Sequence, residues 1–268
     1  MKNNKKSPLK KRPLHVAGQS LDELIQNYKV DGLMLLLILV ILIVVIITAW
    51  LNWAFPSIIV EWLNLASHNT PITIIISIIS LLGIIYCIFR IINLLKKIKS
   101  HTLGRNGERI VAEIFDNLRG QGYVVFHDLV AENEKFNIDH VILSTHGIFT
   151  VETKTFSKPS KGEIAFKDEK IIIGNINRGN DIIIQSESES KWLKSLLRKS
   201  TGKNYYVMPV IVFPGWFVQP MPEYLKKRIW ILNPEALSSF INNEPKTIDE
   251  SDMHLAAFHI SRYIRMYN

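Results

Sequence analysis

Cysteine is almost absent from this sequence of 268 residues, because Cys87 is the only one. A lone cysteine excludes an intramolecular disulfide framework and a cysteine-rich zinc site built within one chain. Cys87 lies inside a long apolar run, and the composition is consistent with a reducing compartment.

Net charge is also scarce in most of the chain. The formal net charge is +8, but residues 1–99 hold 11 Lys and Arg against 4 Asp and Glu, a net of +7. Residues 100–268 hold 21 against 20, a net of +1. The basic excess therefore bears on membrane topology and lipid contact, and it does not indicate nucleic-acid binding by the rest of the chain.

Two long runs are nearly free of charge. Residues 32–53 carry none, and residues 71–95 carry only Arg90, near the end where a long side chain can reach lipid headgroups. Each run is long enough to cross a bilayer as a helix. Buried core helices are the alternative, whereas a cleaved signal peptide is disfavoured because about thirty residues precede the first run. We predict a basic tail at 1–31, two transmembrane helices within 32–99, and a globular domain at 100–268.

Lys and Arg are missing from the loop between the two runs, residues 54–70. They flank the runs on both outer sides, as Lys2, Lys5, Lys6, Lys10, Lys11, Arg12 and Lys29 before the first and Lys96, Lys97 and Lys99 after the second. Because cytoplasmic flanks are the basic ones, we predict a multi-pass protein of the cell (inner) membrane with both termini cytoplasmic. Trp50, Trp53 and Trp62 then lie in the outer interfacial belt. The basic tail would lie against anionic lipid, with a nucleic-acid grip as the alternative.

From residue 100 onward, helical and strand patterns alternate. We predict a helix at 106–119, strands at 123–126, 138–144 and 148–154, a short edge strand at 171–175, a helix at 183–198, strands at 207–213 and 228–232, a short helix from Pro234, and a last helix at 251–267. The turn Thr145-His146-Gly147 predicts that the second and third strands are antiparallel neighbours. The order α-β-β-β-α-β predicts a mixed α/β domain.

Acidic residues occur where these strands should be apolar. Asp139 opens the second strand, and Glu152 and Lys154 share one face of the third. An Asp and a Glu on neighbouring strands can bind a hard cation such as Mg²⁺, beside which a lysine can position water and stabilise charge on a phosphoryl group. Glu108, expected on the first turn of the preceding helix, would supply a third carboxylate. A surface ion-pair cluster is the alternative for the first three residues, and stabilisation of a helix N-terminus is the alternative for Glu108.

Three motifs resemble a known family. Gly104-Arg105-Asn106-Gly107-Glu108, Asn137-Ile138-Asp139-His140 and Gly147-Ile148-Phe149-Thr150-Val151-Glu152-Thr153-Lys154 are similar, in this order, to the nuclease-related domain (NERD) family of the PD-(D/E)xK nuclease superfamily. The resemblance covers about residues 104–197. It implies a restriction-endonuclease-like core, Mg²⁺ or Mn²⁺ as cofactor, Asp139 and Glu152 as metal ligands with Glu108 as auxiliary carboxylate, and Lys154 as the catalytic lysine. Gln185 matches the glutamine of the family's Asn-Pro-x-x-Gln element, although the Asn-Pro pair is missing here.

Other polar and aromatic residues fit simpler structural roles. We expect turn or core packing for His127, His140 and His146. We expect a solvated face or phosphate contact for the basic residues of the second helix, which are Lys191, Lys194, Arg198 and Lys199. For Trp216 we expect edge packing or base stacking.

The leading hypothesis is a membrane-anchored, metal-dependent nuclease that hydrolyses phosphodiester bonds in DNA processing, with nucleic acid, DNA foremost, and the lipid bilayer as partners. RNA as substrate and either mode of cleavage, exonucleolytic or endonucleolytic, stay open. The second hypothesis is a catalytically silent nucleic-acid- or protein-binding module tethered to the membrane, which the near-neutral charge favours. A two-span transporter or sensor is disfavoured because the runs lack charge along their length.

Overall fold

The structure is a computed structural model that describes residues 14–54, 70–131, 136–158, 162–167, 170–174 and 176–267. The chain forms two compact units. The helical unit is Asp22–Thr102, and the globular unit joins the residues up to Leu21 with Leu103–Asn268. Trp62 and the basic residues from Lys2 to Arg12, on which the predicted orientation partly depends, lie outside the described residues.

The helical unit is built from α1 (Gln19–Ala54) and the first part of α2 (Thr70–Asp116). The indole of Trp50 on α1 donates to the hydroxyl of Ser77 on α2 at 3.1 Å. Farther along, the rings of Tyr28 and His101 stack with their centroids 5.6 Å apart. Because Trp50 contacts the start of α2 and Tyr28 contacts a later turn, the two helices run antiparallel.

Both helices are long and apolar enough to cross a membrane, by length and composition. The most apolar 18-residue stretch of α1 is 0% buried, and that of α2 is 11% buried. The core helix of a soluble protein would bury such a stretch within the fold. Here the described residues leave the apolar surface uncovered, which makes both helices candidate membrane spans.

The helix predicted to begin at Asn106 does not begin there, and this prediction is wrong. Helix α2 continues unbroken from Thr70 to Asp116, through Gly104 and Gly107. A glycine inside a helix costs about 1 kcal/mol relative to alanine, which a long, already nucleated helix tolerates. Glu108 therefore lies in the middle of a helix, and the attraction of a helix N-terminus does not account for it.

The main sheet of the globular unit contains five of the described strands. They are β1 (Val124–Val130), β2 (Asn137–Ser144), β3 (Gly147–Thr153), β7 (Val207–Val212) and β9 (Trp230–Leu232), side by side in this order. The first three are antiparallel to one another, whereas β3, β7 and β9 are parallel. Their arrangement, with α2 before them and helix α3 (Asp181–Thr201) between β3 and β7, confirms the predicted α-β-β-β-α-β core with a mixed sheet.

A second, smaller sheet was predicted only in part. It contains β6 (Ile176–Asn177), β5 (Lys170–Ile173), β4 (Glu163–Lys167) and β8 (Phe217–Val218), in this order. The edge strand predicted at 171–175 corresponds to β5, which is an interior strand of this sheet and not an edge of the main one. The segments around it are too short and too mixed in polarity for a periodic pattern to reveal them.

The remaining helices cover the two faces of the main sheet. They are α3 (Asp181–Thr201), α4 (Glu223–Lys226), α5 (Leu237–Asn243) and α6 (Glu250–Tyr267), with short 3₁₀ turns at Asn117–Gln121 and Pro234–Ala236. Leu193 of α3 and Ile260 of α6 pack with Val141 of β2 in one core cluster. Phe115 of α2 packs with Ile142 in the other, as expected for side chains that alternate across a strand.

Gly107 allows α2 to approach the segment that follows β3. A Cβ atom at this position would lie 2.9 Å from the Cβ of Thr155 and closer still to the Thr155 hydroxyl, so a side chain larger than hydrogen does not fit. The close approach brings the next residue, Glu108, toward the end of β3.

We expect Gly107→Ala to lower the free energy of unfolding by about 1–3 kcal/mol, because overpacking forces α2 away from Thr155. Gly104→Ala is the matched control on the same helix, where the added methyl group meets Leu21 at an ordinary 3.4 Å and alanine's helix propensity adds up to about 1 kcal/mol. Denaturant unfolding of the full chain in detergent, followed by tryptophan fluorescence, measures both. Equal stability of the two variants would contradict the close approach.

Candidate active site

The main sheet divides at one end, between β2 and β3. The ladder between these strands ends at the pair His140–Val151. Strand β3 nevertheless continues to Thr153, which pairs with Val212 of β7. Asp139 and Glu152, one residue beyond the last pair on each strand, therefore lie at the opening of this strand fork. The predicted positions on neighbouring strands are confirmed, and the fork frees both side chains from the regular ladder.

A second irregularity lies on the other side of Asp139. In the ladder between β1 and β2, His127 pairs with His140 and Leu129 pairs with Ile138, but the residues between them are not paired. The intervening residue of β1, Asp128, has φ 52 and is the one non-glycine residue with positive φ among those described. Side-chain alternation shifts there, which releases Asp139 from both neighbouring ladders.

Asp139 is held in place by a backbone amide across the fork. Its Oδ2 accepts the N–H of Thr153 at 2.7 Å. Burial raises the pKa of Asp139 well above its usual range, and the charges of Glu152, Glu108 and Glu189 raise it further. The carboxyl group of Asp139 is thus surrounded by other acids.

Glu152, Lys154 and Gln185 are brought together, as the resemblance implies. Glu152 is buried, and its Oε1 accepts from the ammonium of Lys154 and from Nε2 of Gln185 at 2.9 Å. The Lys154 ammonium also donates to Oε1 of Gln185 at 3.1 Å. The other carboxylate oxygen of Glu152, Oε2, is buried and has no hydrogen-bond partner.

A further acid, Glu189, was not predicted. It lies one turn after Gln185 on α3, is fully buried, and accepts from Nε2 of Gln185 at 2.9 Å. No lysine, amide or backbone group donates to its buried Oε2, and the carboxyl groups of Glu189 and Glu152 lie close enough to share a proton. Burial raises the pKa of Glu189 to about 9, and the Glu152 charge adds to the rise. The sequence signal was an acid on the apolar face of α3, in step with Leu193.

Glu108 approaches the same group of acids from α2. It is 8% exposed. Burial raises its pKa to about 8, with further contributions from the charges of Asp128 and Glu152. The Lys154 charge and a hydrogen bond from the backbone of Gly18 act in the opposite direction.

Lys154 is held in its charged form by these acids. Burial alone would lower its pKa, but the charge and hydrogen bond of Glu152 and the charges of Asp139 and Glu189 outweigh this, and the net pKa is raised. Lys154 therefore acts at neutral pH as an ammonium ion, which donates hydrogen bonds and cannot accept a proton.

A chain of hydrogen bonds leads through two buried histidines to Thr153 at the fork. His127 Nε2 lies 3.2 Å from Asp116, the two Nδ1 atoms of His127 and His140 are 2.8 Å apart, and His140 Nε2 lies 3.2 Å from the Thr153 hydroxyl. Burial lowers the pKa of both histidines, so both are neutral and each ring donates once and accepts once. The chain fixes Thr153, whose backbone amide holds Asp139. Both histidines thus have the core role that was predicted for them.

The acidic side chains at the fork are of the chemical type that binds a divalent cation. No lysine, amide or backbone group donates to the buried oxygens Glu152 Oε2 and Glu189 Oε2, and neighbouring charges raise the pKa of Asp139 and of Glu189. Hard divalent cations prefer such oxygens and would relieve the repulsion. Among the described residues, however, no three His, Cys, Asp or Glu side chains are gathered as a metal-binding group. The Lys154 ammonium and the Gln185 amide instead occupy Oε1 of Glu152.

The other residues that the sequence singled out lie outside this site. Trp216 is buried beneath the ammonium of Lys158, so it packs in the core and is not available for stacking. His146 binds the Glu244 carbonyl oxygen at 2.6 Å in a turn. The basic residues of α3 lie on a solvent-exposed face: Lys191, Lys194, Arg198 and Lys199.

A cavity of about 690 Å³ is lined largely by apolar residues, among them Phe217, Met221 and Phe240. None of the buried acids lines it, and we assign it no part in the chemistry.

Three comparisons with known proteins bear on this geometry. Residues 103–214 match the family model of the nuclease-related domain, NERD. This range contains the strand fork, the buried acids and α3. No curated protein and no solved structure matches the chain.

We expect Glu189→Gln to stabilise the metal-free protein increasingly as the pH rises from about 5 to about 9. A carboxyl group with a raised pKa in the folded state costs stability as the pH rises between its unfolded and folded pKa values. Glutamine keeps the size and removes the charge. The measurement is Tm in EDTA at several pH values, for the full chain in detergent.

Glu187→Gln is the control for this prediction. It removes a charge from the same helix, but one that already forms an ion pair with Arg228. No pH-dependent gain is expected there. A gain in both variants, or in neither, would contradict the assignment of uncompensated charge to Glu189.

Proposed function

Because residues 103–214 match the family model of the nuclease-related domain, we propose that this domain is a metal-dependent nuclease that hydrolyses phosphodiester bonds of nucleic acid, with DNA as the first substrate to test. The observation that supports this best is the strand fork, where the charge of Glu152 is close enough to raise the pKa of Asp139 and the Lys154 ammonium binds Glu152. Members of this family are generally metal-dependent, which agrees with the buried oxygens that lack partners.

Asp139 and Glu152 would hold the cation, with Glu108 as a third carboxylate. Mg²⁺ or Mn²⁺ supplies positive charge to the phosphoryl group and lowers the pKa of water. Lys154 would stabilise negative charge that builds on the phosphoryl oxygens, because its ammonium is already oriented by Glu152 and Gln185. Gln185 would position Lys154 and Glu152 together.

Glu189 would add negative charge behind Glu152. Its carboxylate shares the Gln185 amide with Glu152, so both acids are held on one side of that amide. A second buried acid strengthens the attraction for a divalent cation over a monovalent one, since the cluster carries more charge than one ammonium neutralises.

We expect the full chain in detergent to cleave labelled nucleic acid in Mg²⁺ or Mn²⁺ and not in EDTA. Glu152→Ala and Lys154→Ala should each lower the rate by about 10²–10⁴-fold, the usual effect of removing a group that acts in the transition state. Single- and double-stranded DNA and RNA are assayed side by side, which identifies the substrate.

Glu163→Gln and Lys203→Ala are the controls, because both remove charges from exposed surface pairs. Both should cleave at the rate of the unaltered protein. Equal activity in all four variants would remove the assignment to the fork.

The alternative is a module that binds nucleic acid or protein at the membrane without turnover. The observation that favours it is the net charge of +1 over residues 100–268, since tight non-specific phosphate binding usually requires a basic stripe. Binding that weakens steeply with salt, with no cleavage in any metal, would support this module.

We also propose that α1 and α2 span the cell (inner) membrane as a multi-pass anchor with both termini cytoplasmic. The uncovered apolar surface of both helices and the basic flanks support this arrangement. With Cys87→Ala as background, Lys203→Cys should react with a membrane-impermeant maleimide only after the cells are permeabilised. Ser67→Cys, in the loop without Lys or Arg, should react in intact cells. The reverse pattern would overturn the orientation.

A further inference from the structure

The segment that leads into the long apolar run of α1 packs on the rest of the globular unit. We call residues 14–20 the pre-span segment. His15 donates from Nδ1 to the backbone carbonyl of Asp128 at 2.6 Å, across more than a hundred residues of sequence. Ala17 is buried. These residues lie well outside the family match at 103–214, yet they belong to the same compact unit.

Asp128 is the main contact of this segment. Its carboxylate accepts the backbone N–H of Ser20 at 2.6 Å and also the Ser20 hydroxyl. That hydroxyl in turn accepts from Nδ2 of Asn137 at 2.7 Å. The first N–H groups of a helix lack partners within it, so the Asp128 carboxylate caps α1. Asp128 is 3% exposed.

The backbone strain at Asp128 is consistent with this contact. A non-glycine residue with φ 52 is strained and persists only where its surroundings hold it. The bonds from Ser20 and His15 supply that support. They therefore stabilise the same irregularity of β1 that releases Asp139 from its ladder.

The pre-span segment also reaches the buried acids directly. The N–H of Gly18 donates to the Glu108 carboxylate. Gly18 has φ +71, and a Cβ there would lie 2.8 Å from Cγ of Arg105, so both the backbone conformation and the available space require glycine. One carboxylate of the site thus depends on an amide that precedes the first candidate span.

We propose that the pre-span segment is a working part of the active site, in which Gly18 and Ser20 are positioning residues. Gly18 holds the Glu108 carboxylate, and Ser20 holds Asp128 and with it the opening beside Asp139. This inference rests on the proposed function, because it assigns to the segment the task of ordering the acids for a divalent cation. The site is then formed by residues that come before the first apolar run and residues that come after the second. This requires both groups of residues to lie on the same face of the membrane.

A cysteine pair tests the contact independently of metal and activity. In the full chain with Cys87→Ala, Ser20→Cys and Asn137→Cys should form a disulfide under mild oxidation, because the two native side chains touch. The bond is detected as a gel shift, or by joined fragments after proteolysis between the two positions. Ser20→Cys with Lys203→Cys is the control. Lys203 precedes β7, whose first residue pairs with Ile148 at the opposite end of the sheet from the fork.

Metal-dependent stabilisation tests the positioning role. The Tm of the full chain is followed as MnCl₂ is added, which reports binding without requiring turnover. Ser20→Ala should raise the Mn²⁺ concentration for half-maximal stabilisation by about tenfold, the usual effect of losing a group that orients metal ligands. Ser20→Thr should restore it by returning the hydroxyl. Ser188→Ala, an exposed helical serine, should leave it unchanged. Gly18→Ala should act as Ser20→Ala does, provided that it folds.

The outcomes separate the two proposals. Absence of the disulfide overturns the inference about the segment, whatever the protein cleaves. Unchanged Mn²⁺ response in Ser20→Ala, with normal response in the unaltered chain, also overturns it and leaves the nuclease proposal intact. Tighter Mn²⁺ binding or faster cleavage in Ser20→Ala would identify the segment as a cover and overturn its positioning role. No Mn²⁺ response and no cleavage in the unaltered chain would remove the nuclease proposal itself.

Discussion

Repulsion between buried acids is the constraint on which the site depends. Burial raises the pKa of Asp139, Glu189 and Glu108, and the charge of Glu152 raises each of them further. Removing a charge from water is expensive unless it is paired, and the ammonium of Lys154 neutralises only one charge. The metal-free protein therefore keeps part of the group protonated. A divalent cation would allow the acids to ionise together, which links metal binding to proton release.

The fold accommodates the repulsion between these acids by separating β2 from β3 where the two strands would otherwise continue to pair. Where β2 and β3 separate, Asp139 is held by a single amide, and Glu152 keeps one oxygen without a partner. Strand β3 remains anchored on its other side by parallel pairing with β7, so the separation does not loosen the sheet. The neutral histidine chain holds Thr153 from the far side. Two adjacent residues of β3 thus differ in their freedom: Thr153 is held rigidly, whereas Glu152 keeps one oxygen that no neighbouring lysine, amide or backbone group binds.

Much of this was predictable from sequence, because strand and motif patterns are local. The alternation around Glu152 and Lys154, and an acid at the start of β2, were enough to place Asp139 and Glu152 on neighbouring strands, but they did not reveal that the strands separate there. Glu189 was missed because Ser-Glu-Ser-Glu-Ser looks like a solvated helical face, although its spacing from Leu193 marks it as buried. The start of the helix before Glu108 was misplaced, because glycines that end a short helix do not end a long one. The second sheet has strands too short to show a period.

The contacts made by residues 14–20 could not have been predicted at all, since they join parts of the chain separated by two long apolar helices. No periodicity reports a hydrogen bond between Ser20 and Asp128, and Gly18 has no side chain to reveal a role. Gly18 and Gly107 nevertheless act on Glu108 in a similar way. Each allows backbone to approach closely where a carboxylate must be held, one by donating its own N–H to Glu108 and the other by letting α2 carry Glu108 inward. The position of Glu108 is therefore set by two glycines, one just before α1 and one within α2, which are far apart in the sequence.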